Sequence, residues 1–135
     1  PRQQTRNLIP KIIKNILTNQ PVPIFGKGMQ MREWLHVEDN CNAIMLLLEQ
    51  GQNNEIYNIS SGHEFTNIEV FQEICNVFQK GYDLVQFVPD RKGHDFRYSI
   101  DSSKLRKLGW KPTWKFKHGL SHTCDWYQKN SWFWR

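Results

Sequence analysis

No apolar run in this chain approaches the roughly 20 residues that a membrane-crossing helix needs. The longest, Ala43-Ile44-Met45-Leu46-Leu47-Leu48, reads as part of a core helix. The start lacks a basic segment followed by a long apolar stretch, so nothing points to secretion and a cytoplasmic address is expected. Cysteine is scarce: Cys41, Cys75 and Cys124 stand far apart, each inside a helical pattern, without the C-x-x-C spacing of zinc or redox sites. Free, partly buried thiols are expected. Two further absences bear on chemistry. No glycine-rich fingerprint follows a strand, and no Tyr-x-x-x-Lys pair exists, since Ser61 follows Tyr57 at that spacing and Ser102 follows Tyr98. These residues therefore carry no recognisable hydride-transfer core. An initiator methionine is also lacking, and a foldable helix follows Pro1-Arg2-Gln3-Gln4-Thr5 within a few residues, as in a piece of a longer protein.

What is present fits one domain over residues 1–135. With 39% hydrophobic and 23% charged residues the chain is globular in composition. Its net charge of +5 is unevenly placed: residues 1–90 hold 7 basic and 10 acidic side chains, whereas residues 91–135 hold 11 and 3. A basic half invites a polyanion, either nucleic acid or a phosphorylated small molecule.

Periodicity predicts a mixed α/β chain of short strands alternating with helices. Leu8, Ile9, Ile12, Ile13, Ile16 and Leu17 form one stripe of a helix over 7–19, with Asn7 as its cap and Pro10 tolerated in the opening turns. Residues 21–25 form an extended run that Pro21 and Pro23 restrict to a sheet edge. Gly26-Lys27-Gly28 turns it into an alternating run over 29–37. Glu38 and Asp39 open a helix that ends before Gly51, with carboxylates at the positive end of its dipole. A four-residue strand is expected at 56–59, a helix from Thr66-Asn67 to about Lys80, and a strand over 84–88. A short helix capped by Asp101 stops at Gly109, and a last helix precedes the aromatic end. No repeat, low-complexity tract or internal linker interrupts this order.

The densest chemistry lies in Asp90-Arg91-Lys92-Gly93-His94-Asp95-Phe96-Arg97-Tyr98, at the end of an apolar strand. Polar loops surfacing from a buried strand hold ligands, and a glycine lets the chain pass close to them. Arg32 sits on the alternating run between Met31 and Glu33, where a guanidinium is costly to desolvate unless paired. One arginine from a strand and one, Arg91, from a loop would suit a diphosphate, because each fork donates two parallel bonds to phosphate oxygens. Asn67 is read first as an N-cap, and the helix start offers N–H groups to phosphate or sugar oxygens as well. His118 and His122 share a helix face but lack further ligands, so a metal is not expected. The six tryptophans are scattered without an interleaved basic stripe, which favours core and interface over stacking on nucleic acid.

Taken together, Pro-x-Pro-Ile-Phe-Gly-x-Gly-Met-Gln-x-Arg-x-Trp-Leu-x-Val-Glu-Asp (21–39), Tyr-Asn-Ile-Ser-Ser-Gly (57–62), Thr-Asn-Ile-Glu-Val (66–70), Asp-Arg-Lys-Gly-His-Asp-x-Arg-Tyr-x-Ile-Asp (90–101) and Leu-Gly-Trp-Lys-Pro (108–112) resemble the C-terminal portion of the dTDP-glucose 4,6-dehydratase family. That family belongs to the extended short-chain dehydrogenase/reductases. The resemblance runs from Pro1 to Trp132, and the segment at 90–101 separates it from related epimerases and decarboxylases. It implies a substrate-binding part whose Rossmann half, with bound NAD and the catalytic residues, lies elsewhere. It implies a nucleotide-diphosphate sugar, dTDP-glucose or UDP-glucose, as ligand, a homodimer when intact, and a place in deoxysugar (rhamnose) biosynthesis; neither membrane nor nucleic acid is expected as a partner. By this likeness Asn7, Leu8, Ile9, Pro10, Lys11 and Ile12, with Pro23, Ile24 and Phe25, line the base and deoxyribose. Arg32 and Arg91 hold the diphosphate, and Asn67, Asp90, Lys92, Gly93 and His94 complete the site; none is catalytic. Lys92 stands where the family usually has proline, Phe25 where tyrosine is common and Asn7 where a basic residue is familiar, which leaves the choice of thymidine or uridine open. A UDP-sugar 4,6-dehydratase, a 4-epimerase, a decarboxylase or a non-catalytic remnant remain the alternatives. Apolar faces along 43–48, expected to pack on the other half, would be exposed here.

Overall fold

The structure is a computed structural model and describes residues 1–134. Its first helix, α1 (Leu8–Leu17), buries the predicted stripe, with Ile12, Ile13 and Ile16 all inside. Pro10 falls at the third helical position, where its N–H would have had no partner within the helix. α1 packs against α3 (Asn67–Val77) and α5 (Phe116–Lys129). Phe71, Ile74, Leu120, Cys124 and Tyr127 complete the core among them.

Two small sheets flank these helices. β1 (Val22–Phe25) pairs in parallel with β4 (Val85–Val88), Val22 opposite Val85 and Phe25 opposite Val88. Alternation sends Val22 and Ile24 into the core and turns Pro23 and Phe25 outward. β2 (Met31–Glu33) pairs antiparallel with β3 (Glu64–Thr66), Arg32 opposite Phe65. Phe65 in turn stacks on Phe116 at 3.9 Å between ring centres, tying the sheet to the start of α5. On the other side of β2, Met31 N donates to Phe96 O at 2.7 Å and Met31 O accepts from Tyr98 N at 3.3 Å. The loop that follows β4 is thereby laid along β2.

α2 (Val37–Gln50) forms a second, smaller cluster in which Ala43 meets Leu105, from α4 (Ser103–Lys107), and Trp110. Its anchor is Asp39, 1% exposed. Oδ1 accepts from Thr113 N at 3.0 Å and Thr113 Oγ1 at 2.6 Å, and Oδ2 from Trp114 N at 3.0 Å. Burial pushes this carboxyl upward, but the Thr113 and Trp114 hydrogen bonds outweigh it and hold the group below the ordinary carboxylate range.

Several elements differ from expectation. Residues 56–59 form no strand: Ile56 is 84% exposed, and its carbonyl accepts from Lys104 Nζ at 2.9 Å instead of from a neighbouring strand. A strand is defined by its partner, and none among the described residues lies alongside. β3 escapes notice because three residues are too few to show alternation. The run over 29–37 is a strand for three residues before the chain turns into α2, whose N-cap is His36, its Nδ1 accepting from Glu38 N at 3.3 Å. Asn67 is not the cap of α3 but its first residue; Thr66 caps, accepting from Glu69 N at 3.3 Å while Glu69 Oε2 accepts from Thr66 N at 2.7 Å. Asn7 makes no side-chain cap and donates to Gln4 O at 3.3 Å instead.

Two outcomes follow for the isolated chain. Asp39→Asn sets an amide donor against Trp114 N, or against Thr113 N if the amide turns over, and should cost about 2–3 kcal/mol, read as a lowered urea midpoint at constant slope. Because the folded-state pKa of Asp39 is depressed, its contribution is present above the unfolded pKa and is lost as pH falls through the folded one. Along α2, Ile44, Met45 and Leu48 are 45%, 55% and 77% exposed, so the chain should self-associate and Met45→Lys with Leu48→Lys should relieve it. Light scattering that shows a monodisperse monomer at all concentrations, with a cooperative melt, would refute this.

Candidate anion-binding site

The site begins at the turn between β1 and β2. Gly28 has φ +72°, and a Cβ there would lie 2.8 Å from Ile24 Cγ2 and 2.9 Å from Ile68 Cβ, so no side chain fits. The bare backbone can then seat on the first turn of α3. Gly28 O accepts from Ile68 N at 3.0 Å, and Gln30 O from Asn67 N at 3.1 Å. With Glu69 N held by Thr66, the first three N–H groups of α3 are all used. The N-terminus of α3 is thus not the open anion seat that the sequence raised, and Asn67 itself is 8% exposed.

From this seat β2 projects Arg32 toward the loop after β4. Its Nη1 donates to Met31 O at 2.6 Å and Phe96 O at 3.3 Å, and its Nη2 to Asp95 O at 2.9 Å. Nη2 also lies 3.2 Å from His94 Nε2, and the guanidinium sits 4.2 Å over the Tyr98 ring. Asp90 organises the loop: Oδ1 accepts from Arg91 N at 2.8 Å and meets His94 Nδ1 at 2.6 Å, while Oδ2 accepts from Gln30 Nε2 at 2.5 Å. The His94 hydrogen bond, first among the causes, holds the Asp90 carboxyl below its usual range. The Asp95 hydrogen bond raises the Tyr98 hydroxyl in the opposite sense.

Arg91, on the same loop, approaches Phe25 of β1. Its guanidinium lies 5.1 Å over Phe25, and Phe25 meets His94 edge-on at 6.0 Å. Arg32, His94, Phe25 and Arg91 therefore form one row across two strands and a loop. Among the described residues neither Arg32 nor Arg91 is bridged to a carboxylate, whereas Arg97 is held in two bonds of 2.7 and 2.9 Å by Glu64. Two cations without a carboxylate partner, connected through His94 and Phe25, suit a multivalent anion that carries an aromatic base. Lys92 and Gly93 lie at the exposed tip of the turn, where Gly93 has φ +71° and open space around it.

The remaining expected contacts divide. Ile12 and Ile24 are each 1% exposed, so these two side chains serve the core, whereas Pro10, though buried, borders the cleft that Ile9 lines. Leu8 packs on that core, Asn7 is half-buried and Lys11 exposed. Ile9 lines a cleft of about 640 Å³ with Trp34 and His36. A cavity of about 220 Å³ beside Arg32 and Tyr98 shares Glu33 and Leu35 with that cleft, so α1 and Arg32 border neighbouring spaces. Arg91 lines neither of them. The sequence reading had assigned no role to Gln30 or Tyr98; both stand at alternating or loop positions beside Arg32, and proximity to that arginine was the available signal. Among the described residues no group of three or more His, Cys, Asp and Glu is placed to hold a metal. His122 instead lies 3.2 Å from His36 and stacks on Trp114, and His118 is exposed.

Comparison with known proteins identifies the family. The family model of GDP-mannose 4,6 dehydratase matches residues 1–123. A dTDP-glucose 4,6-dehydratase of Streptomyces niveus is 44% identical over 99% of this chain and 40% of its own length. The dTDP-glucose 4,6-dehydratase of Streptomyces venezuelae, solved with NAD bound, superposes with a TM-score of 0.95 at 40% identity over 100% of this chain and 42% of that one. The UDP-glucose 4-epimerase of Thermotoga maritima is further away, with a TM-score of 0.86 and 28% identity over 93% of this chain and 40% of that one. The chain thus spans about 40% of the length of the curated relatives it matches, their C-terminal part. With most of its residues inside the family model, the chain belongs to the GDP-mannose 4,6 dehydratase family.

Proposed function

We propose that this chain is the nucleotide-sugar-binding portion of an NAD-dependent dTDP-glucose 4,6-dehydratase, and that catalysis needs the part of the relatives it does not span. The observation that carries this reading is the row of Arg32, His94, Phe25 and Arg91. The diphosphate is assigned to the two guanidiniums, and the base to the Phe25 ring beside them. Asp90 keeps the loop folded through Gln30 and His94, and Asn67 seats the turn before β2 through its backbone N–H. NAD, which the remainder of such an enzyme would bind, would supply the hydride chemistry at C4 and C6 of the sugar. The residues of this chain would hold the substrate in place for it. None of them is assigned a proton or a hydride.

The covering of α2 and of residues 56–59 belongs to the same reading. Both present apolar side chains to solvent in this chain, and both are expected to dock on the NAD-binding part. The intact enzyme is proposed to be a cytoplasmic homodimer.

Calorimetric titration with dTDP tests the assignment. Arg91→Ala should weaken binding by about 1.5–3 kcal/mol, the loss of one charge-assisted phosphate contact. Arg32→Ala should cost at least as much, because Arg32 also ties the 94–98 loop to β2. The titration is run on the chain alone and on the chain joined to an NAD-binding half from a relative. Absence of heat in both, or unchanged affinity in both variants, removes the reading. With the joined protein, product analysis separates a dehydratase, which releases a 4-keto-6-deoxy sugar, from a 4-epimerase.

A further inference from the structure

Gln30 stands out as a buried polar side chain half of which has no partner. It is 5% exposed, its Nε2 donates to Asp90 Oδ2 at 2.5 Å, and its Oε1 finds no donor among the described residues. A buried acceptor left bare is destabilising, and a native structure that keeps one gains something through the rest of the group. Turning the amide over would not help, since it would set Oε1 against the Asp90 carboxylate.

The direction of the hydrogen bonds beyond Asp90 follows from the carboxylate that Gln30 holds in place, which can only accept. An ionised carboxylate only accepts, so His94 Nδ1, 2.6 Å from Asp90 Oδ1, must be the protonated nitrogen. In a neutral ring Nε2 is then the acceptor, and it faces Arg32 Nη2 at 3.2 Å, a group that only donates. The chain Gln30→Asp90←His94←Arg32 is consistent in one sense alone. With the opposite tautomer, donor would face donor between His94 and Arg32. Gly26 turns the chain beside this seat at φ +56°, a conformation that favours glycine, and a Cβ there would make only ordinary contact with Asp90 Oδ2, at 3.4 Å.

We propose that Gln30 is a positioning residue of the anion site: by pinning Asp90 from below, it sets the His94 tautomer and so the aim of the Arg32 guanidinium. This deepens the nucleotide reading above and rests on it for the identity of the anion, though not for the relay itself.

The test compares the chain with Gln30→Met, which keeps the volume and removes both the donor and the bare acceptor, by NMR of ring-¹⁵N-labelled histidine and by dTDP calorimetry. The unaltered chain should show His94 protonated at Nδ1; Gln30→Met should shift the ring toward the Nε2-protonated form, with a melting midpoint at or above the original. Its dTDP affinity should fall on the order of tenfold, the scale of one misdirected charge-assisted contact. Asp90→Ala, at an exposed residue, removes the carboxylate and so breaks the same link from the other side; it should give at least the same loss, and the double variant should be no weaker than Asp90→Ala alone. An unchanged His94 tautomer in both variants overturns the proposal, as do additive losses of affinity. If the original chain binds no dTDP, the nucleotide reading fails, while the tautomer comparison still decides the role of Gln30.

Discussion

Two backbone hydrogen bonds, from Asn67 N to Gln30 O and from Ile68 N to Gly28 O, hold the position of nearly everything that matters in this chain. They join the turn after β1 to the first residues of α3, and they exist because Gly28 has no side chain to keep the two apart. Once the turn is seated, β2 must leave at a fixed angle. Arg32 then points along the loop after β4, and Gln30 points under it. The free N–H groups that make helix starts attractive to anions are consumed in the process. The site therefore relies on side-chain cations where many phosphate sites use backbone donors.

Local electrostatics reinforce this arrangement. Arg97, three residues beyond His94, is neutralised by Glu64 on β3, which fastens the end of the loop to the sheet. Arg32 is secured by carbonyl oxygens and by the face of Tyr98, which hold it in place without cancelling its charge. Arg91 is supported by an aromatic ring in the same way. The basic half of the sequence is thus partly spent on internal ion pairs, such as Lys104 with Glu55 and Lys117 with Glu73, and partly left open beside Phe25. Such a distribution needs no nucleic acid to account for the excess of lysine and arginine.

Helices were legible from the sequence because their stripes are long: α1, α3 and α5 repeat their apolar residues over several turns, and tertiary packing keeps what periodicity promises. Short strands were not. β3 has three residues and is specified by Arg32 and Met31 opposite it and by Phe116 beneath it, none of which is near it in sequence. Residues 56–59 show the converse failure, a good strand pattern with no neighbour to pair with among the described residues. In the site, Arg32, Arg91, His94 and Asp90 could be picked out by residue type and by a glycine-centred loop. Their mutual order could not, because it depends on the Gly28 contact with Ile68 and on the parallel register of β1 with β4. For the same reason Ile12 and Ile24, adjacent to residues that do face outward, proved to belong to the core.

The three thiols divide sharply by environment. Burial pushes Cys75 up to about 11 and Cys124 up to about 12, and both are enclosed by the helices around α1. Cys41 alone lies exposed, on the α2 turn that places it three, four and seven residues ahead of Ile44, Met45 and Leu48. Nature has in effect left a single chemical handle in the middle of the uncovered apolar face. A small fluorophore attached there would sense water leaving that face, so the docking of any covering segment can be followed by colour, without altering the anion site.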